Sequence, residues 1–110
     1  MKKILLIGLG LSLLLGTSSL FAQGDASLIK KGQKVYLKKI KSKCQMTGAK
    51  MAIKHTSGEW TKIYNDGKLN SELKNQCPKF KKDLKPKYQK QLFEFLNEYG
   101  SDTGNFPSCG

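Results

Sequence analysis

One segment near the end of the chain constrains its fold more than any other. Between Pro86 and Gly100, apolar residues recur three and four positions apart, with polar residues between them. Proline suits the first turn of a helix, and glycine commonly follows the last turn. The pattern therefore predicts an amphipathic helix with a broad aromatic face that another element must cover. The apolar positions are Tyr88, Leu92, Phe93, Phe95, Leu96 and Tyr99.

A second amphipathic helix is predicted from about Ser27 to Lys43. Gly32 interrupts its apolar pattern. Because a glycine in a helix interior costs up to about 1 kcal/mol, its presence indicates a close helix crossing at this point. The apolar residues of this helix are Leu28, Ile29, Val35, Tyr36 and Ile40.

Shorter helices are predicted between these two. Thr56 and Glu59 have the spacing of a capping box, in which each side chain accepts a hydrogen bond from the backbone of the other residue. Gly67 ends that helix, and Asn70 or Ser71 is expected to cap the next one. Since no run of alternating β-branched residues demands a sheet, we expect a mostly α domain.

Residues 1–22 have the composition of a secretory signal peptide. Two lysines precede an uncharged, leucine-rich stretch over residues 4–16, and small polar residues follow it. The apolar run is shorter than the roughly twenty residues of a membrane span. We expect cleavage after Ala22, which leaves residues 23–110 as one periplasmic domain without a membrane anchor. A retained anchor helix is the competing interpretation.

Export makes disulfide pairing the default for Cys44, Cys77 and Cys109, because the periplasm is oxidising. With three cysteines, one disulfide and one leftover thiol is the simplest accounting. The favoured bridge joins Cys77 to Cys109, since both lie near a proline outside a predicted helix and would tie the tail to the body. The alternative joins Cys44 to Cys77, and the sequence leaves both pairings open.

All twenty basic residues are lysine, and with eight acidic residues they give a formal charge of +12. Because arginine is the residue that best reads base edges, we expect no specific nucleic-acid partner. Nine lysines lie within residues 23–58, against a single acid. Lys34, Lys38 and Lys41 are predicted on the exposed side of the first helix, where they would dock an acidic protein or anionic headgroups. A solvated face that keeps the domain soluble is the alternative.

A glycine and several apolar and aromatic residues in the two long predicted helices form a pattern that is also found in a known protein family. The main positions are Gly32, Tyr36, Leu92, Phe95, Leu96 and Tyr99, with shorter similarities at residues 48–52, 55–60 and 106–109. Together they resemble small class I c-type cytochromes, in which a glycine lets the N- and C-terminal helices cross closely. The resemblance covers about residues 27–109 and implies a cytochrome-c-like domain in which these two helices pack together.

The resemblance also implies haem attachment through Cys-x-x-Cys-His, in which two cysteines form thioethers and the histidine ligates the iron. The corresponding stretch reads Lys41-Ser-Lys-Cys44-Gln45. If Cys44 stands for the second cysteine, Lys41 replaces the first and Gln45 replaces the histidine. A second register, counted without gaps from Tyr36, places Cys44 at the histidine position and Ile40 and Lys43 at the cysteine positions. Both registers lack the imidazole.

Other ligands for a haem are scarce. The family's second ligand is usually a methionine well downstream, whereas Met46 and Met51 follow the motif at once. We therefore expect no cofactor, with haem c held through Cys44 and His55 as the alternative. Without haem, His55 is expected to orient the helix that follows it. Trp60 and the aromatic face of the last helix would then fill the haem space or leave a pocket for an apolar ligand.

Two functional hypotheses follow. The first is a periplasmic cytochrome-c-like protein, accessory to or involved in electron transfer, that docks an acidic redox partner through its lysines. The alternative is a haem-free basic binding module for an acidic protein or a small apolar ligand. The sole histidine lacks a nearby nucleophile pattern, and Glu94 and Glu98 lie one turn apart on the polar side of the last helix. We expect no enzymatic activity.

Overall fold

The described part of the chain is almost entirely helical. The computed structural model describes residues 25–107, in which there are six α-helices, one π-helical turn and no β-strand. The expectation of a mostly α domain is confirmed. The predicted signal peptide and Cys109 lie outside the described residues. The helical elements are α1 (Ala26–Val35), the π turn (Tyr36–Ile40), α2 (Lys41–Cys44), α3 (Gly48–Ala52), α4 (Ser57–Asn65), α5 (Leu69–Gln76) and α6 (Pro86–Glu98).

Gly32 determines how closely α1 and α6 approach, and this pair has the most extensive contact in the domain. A Cβ atom at Gly32 would lie 2.0 Å from the carbonyl oxygen of Gln91 and 2.8 Å from Cβ of Phe95. One turn further along, Tyr36 stacks on Phe95 with ring centroids 6.5 Å apart. The predicted close crossing of the N- and C-terminal helices is therefore confirmed.

The predicted first helix is continuous through residue 44 but changes its winding. The N–H of Lys41 donates to the carbonyl of Tyr36, five residues earlier, which is the bond of a π turn. This turn holds one more residue than an α-helical turn, so the residues after it are rotated relative to α1. Lys41 consequently leaves the face that carries Lys34 and Lys38. The stretch ends at Gln45, whose φ is 57°.

Helix α4 begins with the predicted capping box. The Thr56 hydroxyl accepts from the N–H of Glu59 at 3.1 Å, and Oε1 of Glu59 accepts from the N–H of Thr56 at 2.8 Å. Trp60 is fully buried, and its ring N–H donates to the carbonyl of Ala52 at 2.8 Å. Gly67 follows the helix with a φ of 72°, as its predicted role as a stop signal requires. The capping box thus aims Trp60 into the core.

Helix α5 departs from its predicted start. It begins at Leu69, and Lys68 at the N-cap makes no side-chain cap, so the prediction that Asn70 or Ser71 caps it is wrong. The Asn70 amide instead accepts from the N–H of Leu84 at 2.9 Å and donates to the Leu84 carbonyl at 3.4 Å. These bonds satisfy the backbone N–H and carbonyl of Leu84, which lies outside the helices and has no hydrogen bond of a helix. Asn70 therefore holds Leu84 in place.

The core is one apolar cluster beneath these helices. Aromatic residues from the π turn, α4 and α6 supply its bulk, and aliphatic residues from α5 and α6 fill the space between them. None of the described helices is long and apolar enough to cross a bilayer. The fully buried side chains include Tyr36, Ile40, Met51, Trp60, Leu69, Leu73, Leu92, Phe95 and Leu96.

The start of the C-terminal tail packs against the start of α4. The N–H of Ser101 donates to the carbonyl of His55 at 3.0 Å. Asp102 accepts from the N–H of Ser57 at 2.8 Å, and this bond lowers the pKa of the Asp102 carboxyl below its ordinary value. The tail is therefore tied to the body by hydrogen bonds well before residue 109.

Candidate functional site

A disulfide joins Cys44 at the end of α2 to Cys77 at the end of α5. Their Cα atoms are 5.0 Å apart, and Cys77 is only 2% exposed. The favoured pairing of Cys77 with Cys109 is therefore wrong, and the alternative pairing is found. The ends of α2 and α5 meet in the fold, which their sequence positions do not reveal. The Cys44 sulfur has no free valence for a thioether or an iron.

His55 lies between two carboxylates. Its Nε2 is 2.8 Å from Oε2 of Glu72 on α5, and its Nδ1 is 3.5 Å from Oε1 of Glu59 on α4. Its ring lies nearly perpendicular to that of Trp60, with centroids 4.7 Å apart. Burial of Glu72 opposes its ionisation, but hydrogen bonds from Gln76 and His55 lower the pKa of its carboxyl overall. His55 thus links α4 to α5, and neither ring nitrogen faces an open site.

The described residues do not fit a covalently attached haem. Cys44 is bonded to Cys77, and His55 faces two carboxylates. Of the two methionines near the motif, Met51 is fully buried in the apolar core. The backbone carbonyl of Met46 accepts a hydrogen bond from the Tyr36 hydroxyl at 2.8 Å. Burial raises the pKa of Tyr36 to about 12, so this donor stays protonated. Within residues 25–107, no three His, Cys, Asp or Glu side chains are grouped to hold a metal ion.

Lysines line both walls of a surface groove of about 570 Å³. The π turn and α2 form one wall, and the segment that connects α5 to α6, residues 77–85, forms the other. We call this the basic groove. The wall lysines are Lys38, Lys39 and Lys43 on the helical side and Lys79, Lys81, Lys82 and Lys85 on the side of residues 77–85.

The charge of the basic groove is almost unopposed. Among residues 25–107, Asp83 is the one acidic residue in the groove lining, and its carboxylate pairs with Lys74 of α5. Like charges that face each other across a groove repel, and they concentrate anions in the space between them. The groove therefore has the electrostatics of an anion-binding site.

The floor of the basic groove is apolar. Phe80 and Leu84 are 4% and 6% exposed, and Tyr88 of α6 is half-buried beside them. The ammonium of Lys39 lies 4.8 Å from the centroid of the Tyr88 ring, within the range of a cation–π contact. A positive rim thus surrounds an aromatic and aliphatic base.

The three lysines predicted to dock a partner separate into two places. Lys34 lines a smaller hollow with Lys38, which also borders the basic groove, so these two lie on one continuous surface. Lys41 lines a different hollow with Met46 and Lys50. The π turn explains the separation, because it rotates Lys41 away from the face of α1.

The segment of residues 77–85 is held at several points. The disulfide anchors its start, and the N–H of Phe80 donates to the Cys77 carbonyl at 2.9 Å. Near its end, Asn70 holds both backbone groups of Leu84, and the Gln89 amide donates to the Leu84 carbonyl at 2.9 Å. A wall fixed before binding loses little conformational entropy when a ligand arrives.

Sequence reasoning missed most of the wall formed by residues 77–85. Averaged over residues 59–110, nine lysines are nearly balanced by seven acids, so that half of the chain looks neutral. A shorter window would have found the signal, because residues 79–85 hold four lysines and one acid around Phe80 and Leu84. The positioning role of Asn70 has no local signal.

No family model, curated protein or solved structure matches this chain. Its likeness to class I c-type cytochromes therefore rests on the short motifs quoted above.

Proposed function

We propose that this chain is an exported, haem-free binding module that docks an acidic protein through the basic groove. The observation that carries the proposal is the meeting of seven lysines from two separate walls, with Asp83 already engaged by Lys74. Charge concentrated in this way speeds the approach of an acidic partner and disfavours basic ones.

The fixed geometry of the groove supports binding over simple solvation. Lysines that serve only solubility need no particular backbone, and scattered positions keep their mutual repulsion small. Here the disulfide joins the start of residues 77–85 to the end of α2, and Asn70 fixes the end of that segment to α5. Keeping like charges together costs stability, and an acidic ligand offsets that cost.

Other ligand classes fit less well. A one-electron shuttle would need a haem, and Cys44 and His55 are engaged elsewhere. A small apolar ligand would need an uncharged cavity, whereas the core positions around Trp60 are packed and the groove is rimmed by ammonium groups. Specific nucleic-acid readout would favour arginine, which the chain lacks.

Charge neutralisation in the groove tests the proposal. A triple variant with Lys38→Gln, Lys81→Gln and Lys82→Gln is expected to bind a fluorescent poly-glutamate peptide about tenfold more weakly, since each exposed pair contributes roughly 0.5 kcal/mol. Anisotropy titrations at several salt concentrations should also show a flatter salt dependence.

A matched control removes the same charge elsewhere. Lys54→Gln, Lys68→Gln and Lys90→Gln together lower the net charge equally, but none of these lysines lines the groove. Equal weakening by both triple variants would show a general charge effect and overturn the groove as the docking site.

The haem-free part has its own test. Full-length protein expressed beside a haem-c maturation system is expected to be exported colourless, with the mass of the bare polypeptide. A reduced-form α band together with a covalent haem mass would contradict it.

A further inference from the structure

The apolar floor of the basic groove indicates the class of ligand more narrowly than its charge alone does. Bare carboxylates or phosphates would be served by lysines on any scaffold and need no aromatic base. Phe80, Leu84 and Tyr88 nevertheless lie together between the two lysine walls. The four-carbon stems of the lysines extend this apolar surface up to the ammonium groups. The combination suits a ligand that is anionic at its edges and apolar at its centre.

The dimensions of the groove restrict the ligand further. A space of about 570 Å³ is the size of sites that hold a compact group, which lie between roughly 300 and 1,000 Å³. It is too small for a folded face and large enough for one bulky side chain with its flanking residues. The two walls would then meet carboxylates on both sides of that side chain.

We propose that the basic groove takes a short acidic segment of a partner protein that carries one large apolar side chain at its centre. That side chain lies on Phe80, Leu84 and Tyr88, and carboxylates before and after it face the lysines of opposite walls. The inference rests on the proposed function and names the kind of segment that the partner presents.

Tyr88 is the residue through which the segment is best tested. It is half-buried and lies on α6, so its truncation leaves the buried Phe80 and Leu84 in place. The ring of Tyr64 provides a matched control, because it is also half-buried but stacks on Phe93, with centroids 4.4 Å apart, and does not line the groove.

Two labelled peptides of equal charge separate anchor from charge: Glu-Glu-Glu-Trp-Glu-Glu-Glu and the same sequence with glycine in place of tryptophan. The tryptophan peptide is expected to bind about tenfold more tightly at about 0.15 M salt, as partial burial of one large side chain implies. Tyr88→Ala should reduce this preference to less than about threefold. Tyr64→Ala should preserve the preference.

The outcomes distinguish this inference from the proposed function. If both peptides bind equally and salt-dependently, acidic docking stands and the apolar anchor is refuted. If neither binds, both fall. Inorganic polyphosphate or phosphatidylglycerol vesicles that bind more tightly than the tryptophan peptide would also overturn the inference, since they would identify a phosphate or membrane site.

A measurement on the unmodified protein covers the case in which Tyr88→Ala fails to fold. Saturation with the tryptophan peptide should shift the NMR signals of the Tyr88 ring and the Leu84 methyl groups. Under the same conditions the signals of Tyr64 should stay in place. Shifts confined to lysine side chains would refute the anchor.

Discussion

Loss of the Cys44–Cys77 disulfide is expected to lower the free energy of unfolding by about 4 kcal/mol. The bridge closes a loop across a sequence separation of 33 residues, which includes α3, α4 and α5. In the chain-entropy description, opening a loop of this length returns about 12 cal/mol/K to the unfolded chain, or about 4 kcal/mol at 25 °C. That is a large part of the 5–15 kcal/mol typical of a small domain.

Urea unfolding of Cys44→Ala/Cys77→Ala, followed by far-UV circular dichroism, measures this loss. The magnitude alone does not identify the partner of Cys77, because Cys109 lies 32 residues away and would close a loop of nearly the same entropy. Cys109→Ala is therefore the decisive control and should keep the stability of the unmodified protein. A loss of several kcal/mol in Cys109→Ala, with a Cys77–Cys109 peptide in a nonreducing digest, would refute the pairing.

The same double variant bears on binding. Cys77 begins the segment that forms one wall of the basic groove, so loss of the bridge frees that wall from α2. In the absence of urea, and at a temperature at which the variant remains folded, its affinity for an acidic peptide should fall. Unchanged affinity would show that Asn70 and the packing of Leu84 hold the wall without the disulfide.

Two further predictions concern the helices. Gly32→Ala places a Cβ 2.0 Å from the Gln91 carbonyl oxygen, so it should lower the free energy of unfolding in urea by about 1–3 kcal/mol or more. Gly58→Ala is the control, since the nearest atom to its new Cβ is 4.0 Å away, and it should be neutral or stabilising. Equal effects of the two substitutions would contradict the close crossing. Because the folded-state pKa of Glu72 lies below its ordinary 4.5, its contribution to stability is present above that pH and is lost as the pH falls through the lowered value. Glu72→Gln should therefore flatten the acid side of the stability profile, and a slope equal to that of the unmodified protein would disprove the role given to its contacts.

Features that depend on neighbouring residues were predictable from the sequence. The capping box of Thr56 and Glu59 forms within one turn, and Pro86 begins α6 because its fixed φ and missing N–H suit that position. The role of Gly32 was predictable for a related reason, since a glycine among the apolar residues of a helix indicates that another element packs close to its backbone.

Features that depend on contacts between distant residues were not predictable. Asn70 is a residue type that commonly caps helices, yet the backbone of Leu84 lies near enough to form a hydrogen bond with its side-chain amide. The choice of Cys44 as the partner of Cys77 likewise requires the ends of α2 and α5 to meet. In each case two chemically acceptable partners competed, and proximity in the fold selected one.

The sequence by itself determined the net charge, the helical class and the apolar faces that α1 and α6 bury, because composition and periodicity are properties of the chain. Only the tertiary structure decided which lysines face one another. Residues 38–43 and 79–85 lie far apart along the chain, and electrostatic potential depends on distance in space, not on position in the sequence. The disulfide joins the end of α2 to the start of residues 77–85, and the two lysine stretches meet around Phe80, Leu84 and Tyr88.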